Sequence, residues 1–266
     1  MPYLRDATGF ESLVLTPIVQ FEDVARTEAF MLAAWAADPL VPQNGYTYPI
    51  PGFYGLNSAN DIYKDTTKVD WDAQYEVILP ITQMLFDRAD ALPAYLLGCD
   101  LHSAPNFGRA IEGIISCSAS SNYSHARENC GRVSEVWVSQ TETDGFVFGQ
   151  TTVVHSNFGV PVMLDQNSSQ VVGLVGGHFQ WGKSITGLIP NDISGIDIVL
   201  RSKDQVLTFF LESGQAVYQS VGDTHGDRFD DFKYVVSDIV ISGSDTFTLE
   251  FYLQQEFMDE RMNNTP

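Results

Sequence analysis

The sequence predicts an α+β protein, with an N-terminal helical segment followed by a strand-rich remainder whose sheets are mainly antiparallel. Three observations carry that expectation. Phe21, Val24, Phe30, Leu32 and Trp35 recur at roughly helical spacing with charges between them. From Arg132 onward, eight runs rich in β-branched and aromatic residues follow one another, from "RVSEVWVSQ" to "TFTLEFYLQ". The turn clusters "TETDG", "SKD", "ESG" and "SGSD" that separate many of them are short, as antiparallel hairpins require. Helices ahead of a run of strands read as α+β.

Taken in order, the first helix is limited upstream by Pro17 and stopped downstream by Asp38-Pro39. "PQNGYTYPIPGFYGLNSANDIY" has no clear period and reads as a long ordered loop held by its aromatics. A second, short helix is expected in "LHSAPNFGRAIEGII". There Ser103 is the expected cap, Pro105 suits the first turn, and Phe107, Ile111 and Ile114 mark one apolar face. The strand series then runs through "GFVFGQTTVVHS", "QVVGLVGGHF", "GIDIVLRS", "QVLTFFLES", "QAVYQSV" and "FKYVVSDIVIS". One helical interruption breaks it, with Trp181, Ile185, Leu188 and Ile189 on one face before Pro190. No internal repeat of solenoid period is present.

Composition narrows the function classes. With 266 residues, 44% apolar and 12% aromatic, the chain has the material for a packed core. Lys and Arg number 14 against 34 Asp and Glu, a net charge of −20 that repels nucleic acid and anionic membrane surfaces. No nucleic-acid partner is expected. No apolar run has the length of a spanning helix, and "MPYLRDATGF" lacks the apolar centre of a signal peptide. The chain as given is expected to be soluble, and it can equally be a piece of a larger protein.

One stretch imitates a nucleotide site. "GGHFQWGKSITGLIP" contains Gly177, Gly182, Lys183 and Ser184 at the spacing of a phosphate-cradling loop. Such a loop needs small residues whose N–H groups close around phosphate, and a full helix behind the lysine. His178, Phe179 and Trp181 are too large for that cradle, and Pro190 cuts the helix short. The preferred reading makes "VVGLVGGHF" a strand whose glycines allow close packing, with Trp181 anchoring the next helix. A free-standing nucleotide-binding protein or hydrolase using residues 177–184 is kept as the alternative function.

Other candidate sites are sparse. Asp223, His225 and Asp227, with Asp230 and Asp231, supply enough ligands in one loop for a divalent cation, although an acidic surface turn explains them as well. His102, His125, His155 and His178 are scattered and read as packed or surface residues. No catalytic constellation is specified, so no enzymatic activity and no cofactor are expected. Cys117 and Cys130 flank "SASSNYSHAREN", a loop of the kind a disulfide closes in an oxidising compartment; two reduced buried thiols remain the other reading. Asn122, Asn167 and Asn263 each begin an N-glycosylation triplet in a polar segment. Together these features lean towards an extracellular protein.

The order of "GCDLHSAPNFGRAI", "RVSEVWVSQ", "GFVFGQTTVV", "VVGLVGGHFQWGKSITGLIP" and "GIDIVLRS" resembles the CHASE family of extracellular sensor domains. It is most similar to the ectodomains of protist and algal receptor-type adenylate or guanylate cyclases, which share an opening helix ("LTPIVQFEDVARTEAF"), a "GIDIVL" strand and a Gly-Asp-x-His turn. The likeness covers most of residues 11–260, on motifs of moderate specificity. It implies two PAS-like lobes: a helical segment at 1–39, a distal ligand-sensing lobe at 40–190, a proximal lobe at 191–258 and a juxtamembrane connector at 259–266. By position it puts ligand contacts at Phe107, Ser134, Val138, Phe148 and Gly149. Phe107 stands where the plant hormone-binding members have an acidic anchor, and Gly149 where they have a threonine, so adenine-type ligands do not fit the pattern. The implied partners are a small molecule of unknown identity and a second copy of the chain in a homodimer. The implied location is the outer face of the plasma membrane, held by a transmembrane helix outside this chain, with a cyclase or histidine-kinase output also outside it.

Overall fold

The computed structural model of the protein describes residues 10–37, 53–56, 62–63, 77–86, 97–103, 107–139, 153–165, 170–225, 233–240, 246–255 and 257. They combine helices with antiparallel sheets, the α+β class. The chain divides into two compact units. One, called here the N-terminal unit, comprises Glu11–Ser134 and Asn157–His178. The other, the C-terminal unit, comprises Met1–Phe10, Glu135–Ser156 and Phe179–Pro266. The second unit thus takes in residues 135–156 and begins again at Phe179.

The N-terminal unit opens with β1 (Phe10–Pro17) and β2 (Val19–Gln20), followed by a 3-10 turn at Phe21–Asp23 and α1 (Val24–Ala37). The expected helical segment is therefore preceded by a strand. Short strands β3 (Gly55–Leu56) and β4 (Ile62–Tyr63) pair with each other, and β5 (Val77–Ile78) pairs with β2. β6 (Gln83–Phe86) runs antiparallel to β1, Ser12 opposite Phe86 and Leu15 opposite Gln83. After a 3-10 turn at Leu101–Ser103 come α2 (Gly108–Ala119), α3 (Tyr123–Asn129) and β7 (Arg132–Val133), and the chain then passes into the C-terminal unit at β8 (Trp137–Ser139). The long strands β9 (Val153–Met163) and β10 (Val171–Gln180) complete a sheet of order β6-β1-β10-β9-β7, with β8 also paired to β9.

Helix α1 is held by its ends more than by an apolar stripe. Trp35 is its buried residue, and the indole N–H donates to the Thr82 carbonyl at 3.1 Å. Near its start, Glu28 Oε1 accepts the Phe53 N–H at 2.6 Å. Phe30, read from the sequence as part of the inward face, is exposed. Helix α2 behaves as its spacing predicts, burying Ile111 and Ile114 completely. Its start differs from the expected cap. Ser103 closes the preceding 3-10 turn, its hydroxyl donating to the Asp100 carbonyl at 2.6 Å, so the helix begins at Gly108 with Phe107 before it. Gly108 is required there, because a Cβ would sit 2.6 Å from the His102 carbonyl oxygen.

In the C-terminal unit, β11 (Ile196–Arg201), β12 (Val206–Glu212), β13 (Gln215–Val221), β14 (Lys233–Val240) and β15 (Thr246–Leu253) form an antiparallel sheet of order β13-β12-β11-β15-β14. The β12–β13 turn is Ser213-Gly214, at φ 50° and 73°, the pair of positive angles a two-residue hairpin needs. Ile198, Leu200, Leu207, Phe209, Leu211, Phe247 and Leu249 are all buried, and their alternation puts them on one face of the sheet. The short helix α4 (Trp181–Thr186) packs on the same unit: a Cβ on Gly182 would lie 2.9 Å from the Ala216 carbonyl, and Thr186 Oγ1 accepts the Ala216 N–H at 2.9 Å.

Candidate functional site

The phosphate-loop spelling dissolves in the backbone. Residues 177–180 belong to β10, where successive amides point to opposite edges and cannot converge on one anion. His178 and Phe179 are buried, and the helix behind them has six residues. Trp181 is the anchor the pattern implied. It is buried, its ring stands 5.2 Å from Phe179 and 5.0 Å from Phe247, and its N–H donates to Ser156 Oγ at 3.0 Å. Leu188, expected on the same inward face, is 71% exposed, because the helix ends at Thr186 and the chain turns outward.

In the N-terminal unit, two of the resemblance-derived ligand residues approach one strand, β9. Phe107 is buried ahead of α2, and a Cβ on Gly159 would lie 3.0 Å from Phe107 Cζ and 2.9 Å from Ile114 Cδ1. Gly159 therefore exists to seat that ring and the α2 face. Ser134 follows β7 and brackets Asn157. Its N–H donates to the Asn157 carbonyl at 2.7 Å, and its hydroxyl accepts the Asn157 N–H at 2.9 Å. The pair Val133–Phe158 lies between these contacts in the ladder. Val138 stands opposite Val154 in the C-terminal unit. Phe148 and Gly149 lie outside the described residues, as do Asp227, Asn167 and Asn263.

The N-terminal unit also buries an acid that the sequence reading did not single out. Asp100 is 4% exposed, and its Oδ1 accepts the Leu79 N–H at 2.8 Å and the His102 N–H at 3.1 Å. Burial pushes its pKa up to about 6 against an ordinary 3.8, although hydrogen bonds from Leu79, His102 and Ser103 pull the other way. The neighbouring Cys99 is fully buried, and burial with the nearby Asp100 charge raises its thiol far above the reactive range. This cluster fastens strand ends; Cys99 is unsuited to nucleophilic work.

The Gly-Asp-x-His turn lies on the C-terminal sheet. Gly222 is at φ 92°, a left-handed angle that lets the chain fold back after β13. Asp223 then meets both Arg201 and His225, and the His225 ring stacks on Tyr252 with centroids 3.5 Å apart. Arg201 also donates to Glu250 Oε2 at 2.8 Å, Lys233 to Glu250 Oε1 at 2.7 Å, and the Tyr252 hydroxyl to Glu250 Oε2 at 2.8 Å. Burial alone would raise the Glu250 carboxyl, but the three donors outweigh it and hold it below the usual range. At Asp223 the same opposition resolves downward through His225 and Arg201. A carboxylate already committed to Arg201 and His225 is poorly placed to bind a cation. No group of three or more metal-ligating side chains occurs among the described residues. Arg201, Lys233, Glu250 and Tyr252 were missed by motif reading. The detectable signal was an acid inside the apolar run "TFTLEFYL".

Cys117, near the end of α2, is bridged to Cys130 after α3, with Cα atoms 5.5 Å apart. Asn122 lies inside the closed loop, exposed, as the N-cap of α3. No helix among the described residues is long and apolar enough to cross a membrane. No protein-family model matches the chain, and no curated protein matches it in sequence.

Proposed function

We propose that the chain is the extracellular ligand-sensing domain of a transmembrane signalling receptor, CHASE-like in type, with two PAS-like lobes and a nucleotide-cyclase or histidine-kinase output beyond it. In this reading the chain performs no catalysis itself and works as a homodimer on the outer face of the plasma membrane. The observation that carries the reading is the Cys117–Cys130 bridge, which locks the α2–α3 corner with a cross-link characteristic of oxidising compartments. It fixes the far end of the helix whose near end, at Phe107, covers Gly159.

The seat between α2 and β9 is filled by the protein's own side chains, Phe107 and Ile114. A small molecule entering there must displace Phe107 and shift α2 away from β9. That displacement is the proposed signal, since a ligand biases a conformational equilibrium by its unequal affinity for the two states. The apolar lining with Ser134 as a polar neighbour suits a mainly apolar ligand carrying a hydrogen-bonding group. Thermal melting across a metabolite library tests this. A ligand at about 100 times its Kd adds about 2.7 kcal/mol to the native state. At least one compound is expected to raise the melting temperature, and a flat response across the library contradicts the sensor reading.

A further inference from the structure

The α2–α3 corner holds an exposed Asn-Tyr-Ser triplet, and we infer that Asn122 carries an N-linked glycan in the mature protein. The inference deepens the extracellular reading and rests on it. What singles out Asn122 is the division of labour between the two atoms of its amide. Oδ1 accepts the His125 N–H at 3.0 Å and so caps α3. Nδ2, the atom to which a sugar is joined, has no partner among the described residues. An amide carrying a glycan keeps its carbonyl oxygen, so the cap survives modification.

The surroundings are also free to receive a sugar. Asn122, Ser124 and His125 are exposed, and Asn122 itself is extended at φ −79° and ψ 168°, the backbone an N-cap residue adopts. The preceding turn is fixed by the Ser121 hydroxyl, which donates to the Cys117 carbonyl at 2.7 Å. The bridge that closes the loop forms in the same compartment as the sugar is added. In the transfer, Nδ2 attacks the anomeric carbon of a lipid-pyrophosphate-linked oligosaccharide. The N–C bond forms as the C–O bond to pyrophosphate breaks, Nδ2 loses a proton, and the lipid pyrophosphate leaves. The glycan would then cover the disulfide corner and keep that face of the N-terminal unit clear of protein partners.

The test is the full chain secreted from eukaryotic cells behind a signal peptide, digested without reduction, and mapped before and after peptide-N-glycosidase in heavy-oxygen water. The expected result is a bridged Cys117–Cys130 peptide whose Asn122 becomes heavy-oxygen Asp only after enzyme treatment. Two variants separate the sugar from the fold. Ser124→Ala breaks the triplet and leaves the cap, and Asn122→Asp keeps a capping oxygen while removing the acceptor nitrogen. Both are expected to be secreted, bridged and free of sugar at this position. A bridged wild-type peptide with unmodified Asn122 overturns the acceptor assignment and leaves the extracellular reading standing. Free thiols at Cys117 and Cys130 in the secreted wild-type chain overturn that reading and the assignment with it.

Discussion

Replacing Asp100 by Asn removes a carboxylate that is 4% exposed and has a folded pKa of about 6 against an ordinary 3.8. A carboxyl whose folded pKa is raised binds its proton more tightly in the native state than in the unfolded chain. Its contribution is therefore fully present below about pH 4 and is lost as pH rises through about 6. The difference corresponds to about 3 kcal/mol, undiminished by solvent screening because the group is buried. Asn keeps one carbonyl oxygen for the Leu79 and His102 amides but does not titrate. Urea unfolding of wild type and Asp100→Asn between pH 4 and pH 7 reads the effect as a difference, so that other carboxylates cancel. The variant is expected to gain about 2.4 kcal/mol on the wild type across that range. A difference that stays constant with pH, or that moves in favour of wild type as pH rises, refutes the burial argument.

Glu250 and Asp223 have the opposite sign: their lowered pKa values give stability that is present at neutral pH and lost as pH falls through the acidic range. Glu250→Gln weakens three charge-assisted contacts and is expected to cost about 2 kcal/mol in denaturant unfolding at pH 7, with a smaller cost in high salt. Trp181→Ala should cost about 3–5 kcal/mol, and Trp181→Phe less, since the ring contacts with Phe179 and Phe247 survive in part while the Ser156 bond is lost. Reduction, or Cys117→Ser with Cys130→Ser, opens a loop of sequence separation 13 and is expected to lower stability by about 3 kcal/mol in calorimetry. Gly214→Ala forces a side chain into φ 73° against Asn191 and should lower the melting temperature more than Gly222→Ala, where the space is open.

Most strands after Arg132 were readable because they are β-rich and bounded by turn residues, but "RVSEVWVSQ" holds two short strands, β7 and β8, and β9 runs on past the expected "HS" to Met163. Their pairing is mostly between neighbours, as at Glu212 and Gln215 across a two-residue turn. β1 was not readable. "FESLVLTP" mixes Glu11, Ser12 and Thr16 with its apolar residues in no period that assigns it, and the surroundings that make it a strand lie far off in sequence, at Gln83–Phe86 and around Leu174, whose carbonyl accepts from the Thr16 hydroxyl. The start of α2 was misplaced for a local reason: Ser103 spends its hydroxyl on Asp100, a competing turn that no propensity reveals. The glycine seat at Gly159 carries no sequence mark of its own, since a glycine in a strand reads only as a close approach until its partner ring is known. The Arg201–Glu250–Lys233 contacts join three strands, so only the alternation of β15 hinted that Glu250 needed partners.

Hydrogen exchange on the intact protein, with and without a compound that raises its melting temperature, tests the sensing account most directly. If α2 and β9 form the ligand seat, the change in protection falls on Gly108–Ala119 and on β9 around Gly159, and Phe107→Ala alters the affinity of that compound. A stabilising compound whose protection falls wholly on other elements, with Phe107→Ala binding it unchanged, contradicts the account.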